Sequence, residues 1–128
     1  MRLVPTLASI PLLFLATASL AQGRAMTSPD YKRCQQSALS SADILGCMET
    51  ELRRVDSLLN RRYRQAMTGI QPFRRDELRR VQRLWIRYRD ARCGFFNHRE
   101  SGSGGRLDEM QCRIDETARR AQELSELY

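Results

Sequence analysis

Four cysteines, one histidine and a scatter of helix-spaced carboxylates and arginines are the side chains here that could do chemistry. Cys47 follows Cys34 by 13 positions, and Cys112 follows Cys93 by 19. An even cysteine count in a short chain reads as two disulfides wherever thiols can oxidise. A four-thiolate zinc site instead wants paired ligands about two to four residues apart, so no metal is expected. Once bridged, the cysteines leave no thiol nucleophile. His98 stands beside a glycine-rich run with no obvious partner to orient it, and reads as solvated. Ser101-Gly102-Ser103-Gly104-Gly105 lacks the lysine of a phosphate-binding loop and follows no strand. Glu49, Glu51, Asp56 and Asp90 lie among arginines, where carboxylates are ordinarily ion-paired. No catalytic residue and no cofactor are expected; the chain reads as a binder, not an enzyme.

The N-terminus supplies the oxidising compartment. Arg2 precedes an uncharged stretch, Leu3 to Leu20, that ends in Ser19-Leu20-Ala21, small residues at the positions a signal peptidase reads. Residues 1–21 therefore read as a signal peptide, cut before Gln22. Pro5 and Pro11 count against a retained membrane anchor, and no cysteine follows Ala21 to take a lipid. Cleavage leaves 107 of the 128 residues, one domain over 22–128 with no integral membrane segment, periplasmic or secreted. The formal charge of +7 falls to +6, and Lys32 is the sole lysine among 22 basic residues. Such a balance favours acidic proteins or anionic envelope polymers as partners, and export argues against nucleic acid.

The elements that must position these side chains are helices. Ser28-Pro29 offers a cap and a proline at the first helical position, opening a short helix that ends near Ser40. Ser40 or Ser41 caps a second helix, whose stripe runs Leu45, Met48, Leu52, Val55, Leu59, Tyr63, Ala66 and Ile70 until Gly69 and Pro72 end it. A third begins near Arg74 or Asp76 with Leu78, Val81, Trp85 and Tyr88 on one stripe, and Arg92 and Phe95 continue that register. Asn97 to Arg106 reads as a flexible hairpin loop. The last helix carries Leu107, Met110, Ile114, Thr117, Ala121, Leu124 and Tyr128. The fold class is all-α: a small antiparallel bundle of three longer helices and one short N-terminal helix, stapled by two disulfides. Four cysteines allow three pairings. Local pairing is the expectation, Cys34–Cys47 across the Ser40-Ser41 turn and Cys93–Cys112 closing the base of the Gly/Ser loop. The latter places Cys93 about one turn before its helix ends and Cys112 a turn and a half into the next.

One polar set stands out. Asp56, Asn60 and Tyr63 share a helix face at i, i+4 and i+7. Gln82, Trp85, Arg89 and Cys93 line up likewise on the third helix, with Asp90 adjacent, and Thr117, Arg120 and Glu123 on the fourth. A partly buried network that sets helix register is expected, with Arg89 and Arg120 satisfying Asp56, Asn60 or Glu123, because polar groups beside a core must be paired. The alternative is a recognition surface.

Taken in order, Cys34, Cys47, Glu51, Asp56-x-x-Leu59-Asn60-x-x-Tyr63, Gln82-x-x-Trp85-x-x-x-Arg89-Asp90-x-x-Cys93, a Gly/Ser loop, Cys112 and Thr117-x-x-Arg120-x-x-Glu123-Leu124 resemble the LprI-type domain. That family is named for a mycobacterial lipoprotein regarded as a lysozyme inhibitor, although this chain lacks the lipoprotein cysteine. The resemblance implies a bacterial envelope or secreted protein that shields peptidoglycan by binding a muramidase. Arg99 and Arg106 flank the Gly/Ser segment and are the candidate partner-binding residues, since a glycosidase cleft holds two carboxyl groups. The alternative function is an arginine-rich envelope module that binds an anionic polymer or acidic protein without inhibiting anything.

Overall fold

A computed structural model describes residues 27–127; the expected leader, its expected cleavage point and Tyr128 lie outside them. Four helices follow in order, α1 (Pro29–Ser37), α2 (Ser41–Gly69), α3 (Arg75–Gly94) and α4 (Gly102–Ser125). Short 3-10 turns at Pro72–Arg74 and Arg99–Ser101 join the last three. Among the described residues there is no strand, and the all-α expectation holds.

The helix starts follow from local chemistry. Ser28 Oγ accepts the Tyr31 amide at 3.1 Å, and Pro29 occupies the first turn without wasting a donor. Of the two serines before α2, Ser40 is the cap: its Oγ accepts the Asp43 amide and donates to the Asp43 carboxylate. The Ser40 hydroxyl and then the Leu39 amide, both donating to it, hold the Asp43 carboxyl below its usual range.

Two apolar clusters make the core. Tyr31, Cys47, Met48 and Ile114 form one, with Leu107 and Met110 against it. Leu59, Ala66, Leu78, Ala121 and Leu124 form the other. Residue numbers rise together along both partners, so α2 and α4 run parallel and are the main packed pair. Val55 and Thr117, both fully buried, lie between the clusters. Each buried aliphatic side chain contributes about 1.5–3 kcal/mol. Helix α3 runs back antiparallel to them and packs against α4, and α1 covers the first cluster by inserting Tyr31. That phenol donates to Gln111 Oε1 at 2.9 Å and accepts from Gln35 at 2.8 Å. Burial, then the Glu51 and Asp115 charges, push its pKa up.

Both disulfides pair locally, Cys34–Cys47 and Cys93–Cys112, and no described cysteine is free. Their levels in the helices differ from the expectation. Cys93 is the penultimate residue of α3, and Cys112 sits nearly three turns into α4, because α4 starts early.

That early start corrects the reading of Asn97 to Arg106 as a flexible loop. The segment folds as a 3-10 turn running straight into α4, and two of its glycines are there for shape. Gly102 has φ 58°, a conformation that costs other residues strain. A Cβ on Gly105 would lie 2.4 Å from Ser101 Cβ and 2.6 Å from the Phe96 carbonyl oxygen. Glycine there permits a close backbone crossing rather than mobility.

A second correction concerns α3. Its stripe was expected inward, yet Val81 and Tyr88 are 47% and 57% exposed. Leu78 of that stripe is buried and Trp85 partly so, but they are joined inside by Gln82 and Cys93, with Arg89 partly buried beside them. The disulfide at Cys93 and the polar partners on α4 set the helix rotation, turning the polar–aromatic face inward and leaving apolar residues outside.

Candidate functional site

The polar set converges where α2, α3 and α4 meet. Arg89, only 15% exposed, is its centre. Its Nη1 donates to Thr117 Oγ1 at 3.2 Å, and its Nε and Nη2 donate to Asp90 Oδ1 at 3.0 and 2.9 Å. Asp56 Oδ1 lies 3.7 Å from Nη1, an ion pair across to α2. The guanidinium carbon sits 5.1 Å from the Trp85 ring centroid. Arg120, 12% exposed, lies over the same indole at 5.9 Å, donates to Gln82 Oε1 at 3.0 Å and pairs with Glu123 at 2.9 Å. Such cation–π contacts contribute about 0.5–1 kcal/mol each.

These contacts meet the expectation for Arg89 with Asp56 and for Arg120 with Glu123. Asn60 takes no part: it is exposed on the wall of a groove between α2 and α3. That groove, about 560 Å³, is lined by Asp56, Asn60 and Tyr63 on one side and by Arg79, Gln82, Arg83 and Arg89 on the other. The set is thus both things at once, a braced floor of arginines and an open wall of amide, phenol and carboxylate. Burial raises the Asp56 carboxyl pKa, and the neighbouring Asp90 adds to it against the pull of Arg89 and Arg113.

Glu51 stands apart from this groove and has a different task. Only 2% exposed, its carboxylate accepts the Ser28 amide at 2.9 Å and the Ser28 hydroxyl at 2.7 Å. Arg54 Nε and Nη2 complete the set at 2.9 and 2.8 Å. Burial alone pushes its carboxyl up, but these bonds together hold it below the usual glutamate range. It ties the start of α1 to α2.

Several partners escaped the sequence reading. Glu116, 4% exposed, pairs with Arg92 and, at 2.8 Å, with Arg119. The basic interruption of the α3 stripe at Arg92 is therefore one half of an α3–α4 clasp beside Cys93–Cys112, and Glu116 at i+4 from Cys112 was the available signal. Arg113 bridges Asp90 at 2.8 Å and Glu109 at 3.0 Å, and Asn97 joins Glu109 at 2.7 Å. His98 Nδ1 accepts the Glu100 amide at 3.3 Å, a local turn contact. Arg99 lies in the 3-10 turn and Arg106 at the start of the second turn of α4; both are exposed and have no side-chain partner among the described residues.

Fold and site together define a small, doubly disulfide-stapled all-α domain whose polar motif braces three helices around a groove. Residues 32–124 match the family described as lysozyme inhibitor LprI, and the chain belongs to that family. An uncharacterized protein of Rhizobium meliloti (strain 1021) is 28% identical over 137 aligned positions, covering 94% of each chain. No solved structure matches.

Proposed function

We propose that this chain acts outside the cytoplasm by binding a muramidase and occluding its cleft. The observation that carries the reading is the end of the α3–α4 hairpin. There Arg99 and Arg106, without side-chain partners among the described residues, lie at a corner held by Cys93–Cys112, Gly102 and the tight Gly105 crossing. Phe95, 84% exposed, stands on the same corner. A pre-shaped tip with arginine and an aromatic has the composition of a binding hot spot and spends little entropy on docking. Its charge suits a cleft whose two catalytic carboxyl groups develop negative potential. With the chain from Gln22 at +6, a muramidase with an acidic or neutral surface is the better target, since a cationic one is repelled at long range. The family name supports the same class of partner.

The test is turbidity clearing of cell walls by a panel of muramidases of differing surface charge, with protein beginning at Gln22. Clearing should slow at micromolar protein, and the pair Arg99→Gln, Arg106→Gln should weaken inhibition at least tenfold. Uninhibited clearing across the panel rejects the reading. The alternative, polymer binding without inhibition, draws on exposed arginines such as Arg61 and Arg64, whose side chains have no partner among the described residues. It would show as salt-sensitive sedimentation with walls whose clearing is unchanged.

A further inference from the structure

Among the described residues nine large apolar side chains stay exposed, and seven of them lie on α3 or within two residues of its ends: Phe73, Val81, Leu84, Ile86, Tyr88, Phe95 and Phe96. This is not scatter. At about 100° per residue, Val81, Leu84, Tyr88 and Phe95 fall within about 60° of one another, on a row about 21 Å long. They are 47%, 51%, 57% and 84% exposed, turned away from the Gln82–Arg89 face that meets α4. Arg80 and Arg87 border the row on one side, both exposed and both without a side-chain partner among the described residues. The carboxylates at the head of the helix are already taken, Asp76 by Arg79 and Glu77 by Arg74.

We propose that the outer face of α3 docks on an anionic phospholipid bilayer, with the helix lying in the plane of the interface. A contiguous exposed apolar row needs a partner, and the row's borders say which kind. A second copy of this chain, packed antiparallel through the same face, would oppose Arg80 to Arg87 with no free carboxylate between them. An anionic head-group layer meets the same arginines with phosphate, while Leu84 and Tyr88 reach the acyl boundary below. The aromatic ends, Phe73 and Phe95, suit such a seat. No described helix is long and apolar enough to cross a membrane, so the contact is on the surface and not through it.

The experiment uses protein beginning at Gln22, which holds every described residue, and no hydrolase, so its outcome is separate from that of the muramidase reading. Sedimentation with vesicles of phosphatidylcholine alone is compared with equimolar phosphatidylcholine and phosphatidylglycerol. Binding should need phosphatidylglycerol. The pairs Leu84→Ser, Tyr88→Ser and Arg80→Gln, Arg87→Gln should each weaken it at least tenfold, while circular dichroism melting stays unchanged because all four positions are exposed. Three results overturn the proposal. One is no binding to phosphatidylglycerol vesicles. Another is binding that the Leu84 and Tyr88 changes leave intact, which places adhesion elsewhere on the arginine surface. The third is a dimer in sedimentation equilibrium that those same changes abolish, which assigns the face to a second copy.

Discussion

Replacing Glu51 with alanine removes the acceptor that four donors share, and the loss can be worked from their surroundings. The two bonds to Ser28 fasten a half-buried backbone amide and hydroxyl to a charged oxygen. Hydrogen bonds to charged groups contribute about 1.5–3 kcal/mol apiece, less where water can return. The two from Arg54 count for little, because that side chain is 40% exposed and rehydrates. A net cost of about 2 kcal/mol follows for Glu51→Ala, which lowers Tm by roughly 10 °C in a domain of this size. Urea unfolding followed by circular dichroism reads the change, with exposed Glu49→Ala as the control expected to stay within about 0.5 kcal/mol. The pH dependence gives a second handle. With its folded pKa below the unfolded value of about 4.3, Glu51 contributes fully above that value and loses its contribution as pH falls through the folded pKa. The gap between wild type and Glu51→Gln should therefore narrow as the solution is acidified below about pH 4. A Glu51→Ala midpoint equal to wild type would refute the assignment of this carboxylate as the anchor of α1.

Three further outcomes are expected. Serine at both Cys93 and Cys112 should cost about 3 kcal/mol in the chain-entropy model for a 19-residue separation, read by urea midpoint. Gly105→Ala should destabilise by about 1–3 kcal/mol through the clash with Ser101 and the Phe96 carbonyl, while Gly46→Ala, with open space at its Cβ, should stabilise by up to about 1 kcal/mol. Asp56 has a raised folded pKa, so its charge opposes folding as pH climbs from the acid side; Asp56→Asn should gain on wild type between acid and neutral pH in paired melts.

Much of this architecture could be read without coordinates. The serine caps and the α2 and α4 stripes rest on chemistry within a few residues of chain, and the cysteine pairs join consecutive helices across one turn; such short-range rules survive tertiary context. So did the meeting of Arg89 with Asp56 and of Arg120 with Glu123, because a buried guanidinium must find an acceptor. What could not be read was rotation and neighbourhood. Helix α3 has an apolar face and a polar–aromatic face of similar breadth, and periodicity alone does not say which one finds α4. The parallel α2–α4 pairing joins residues far apart in sequence, which no hairpin pattern announces. Gly102 and Gly105 were taken for slack because composition cannot tell mobility from a position where any larger residue collides. Arg92 looked like a break in a seam until Glu116 stood opposite it.

Having its principal helix pair separated in sequence by the whole of α3 makes this a late assembler. As the polypeptide emerges from the ribosome, α2 presents Leu59 and Ala66 long before Ala121 and Leu124 exist to cover them. Neither cystine substitutes for that closure, since each links only neighbouring helices. Half-made chains must then stay soluble with an uncovered groove of aliphatic residues, and a protein clipped before Ala121 would be left without the complement of its longest helix.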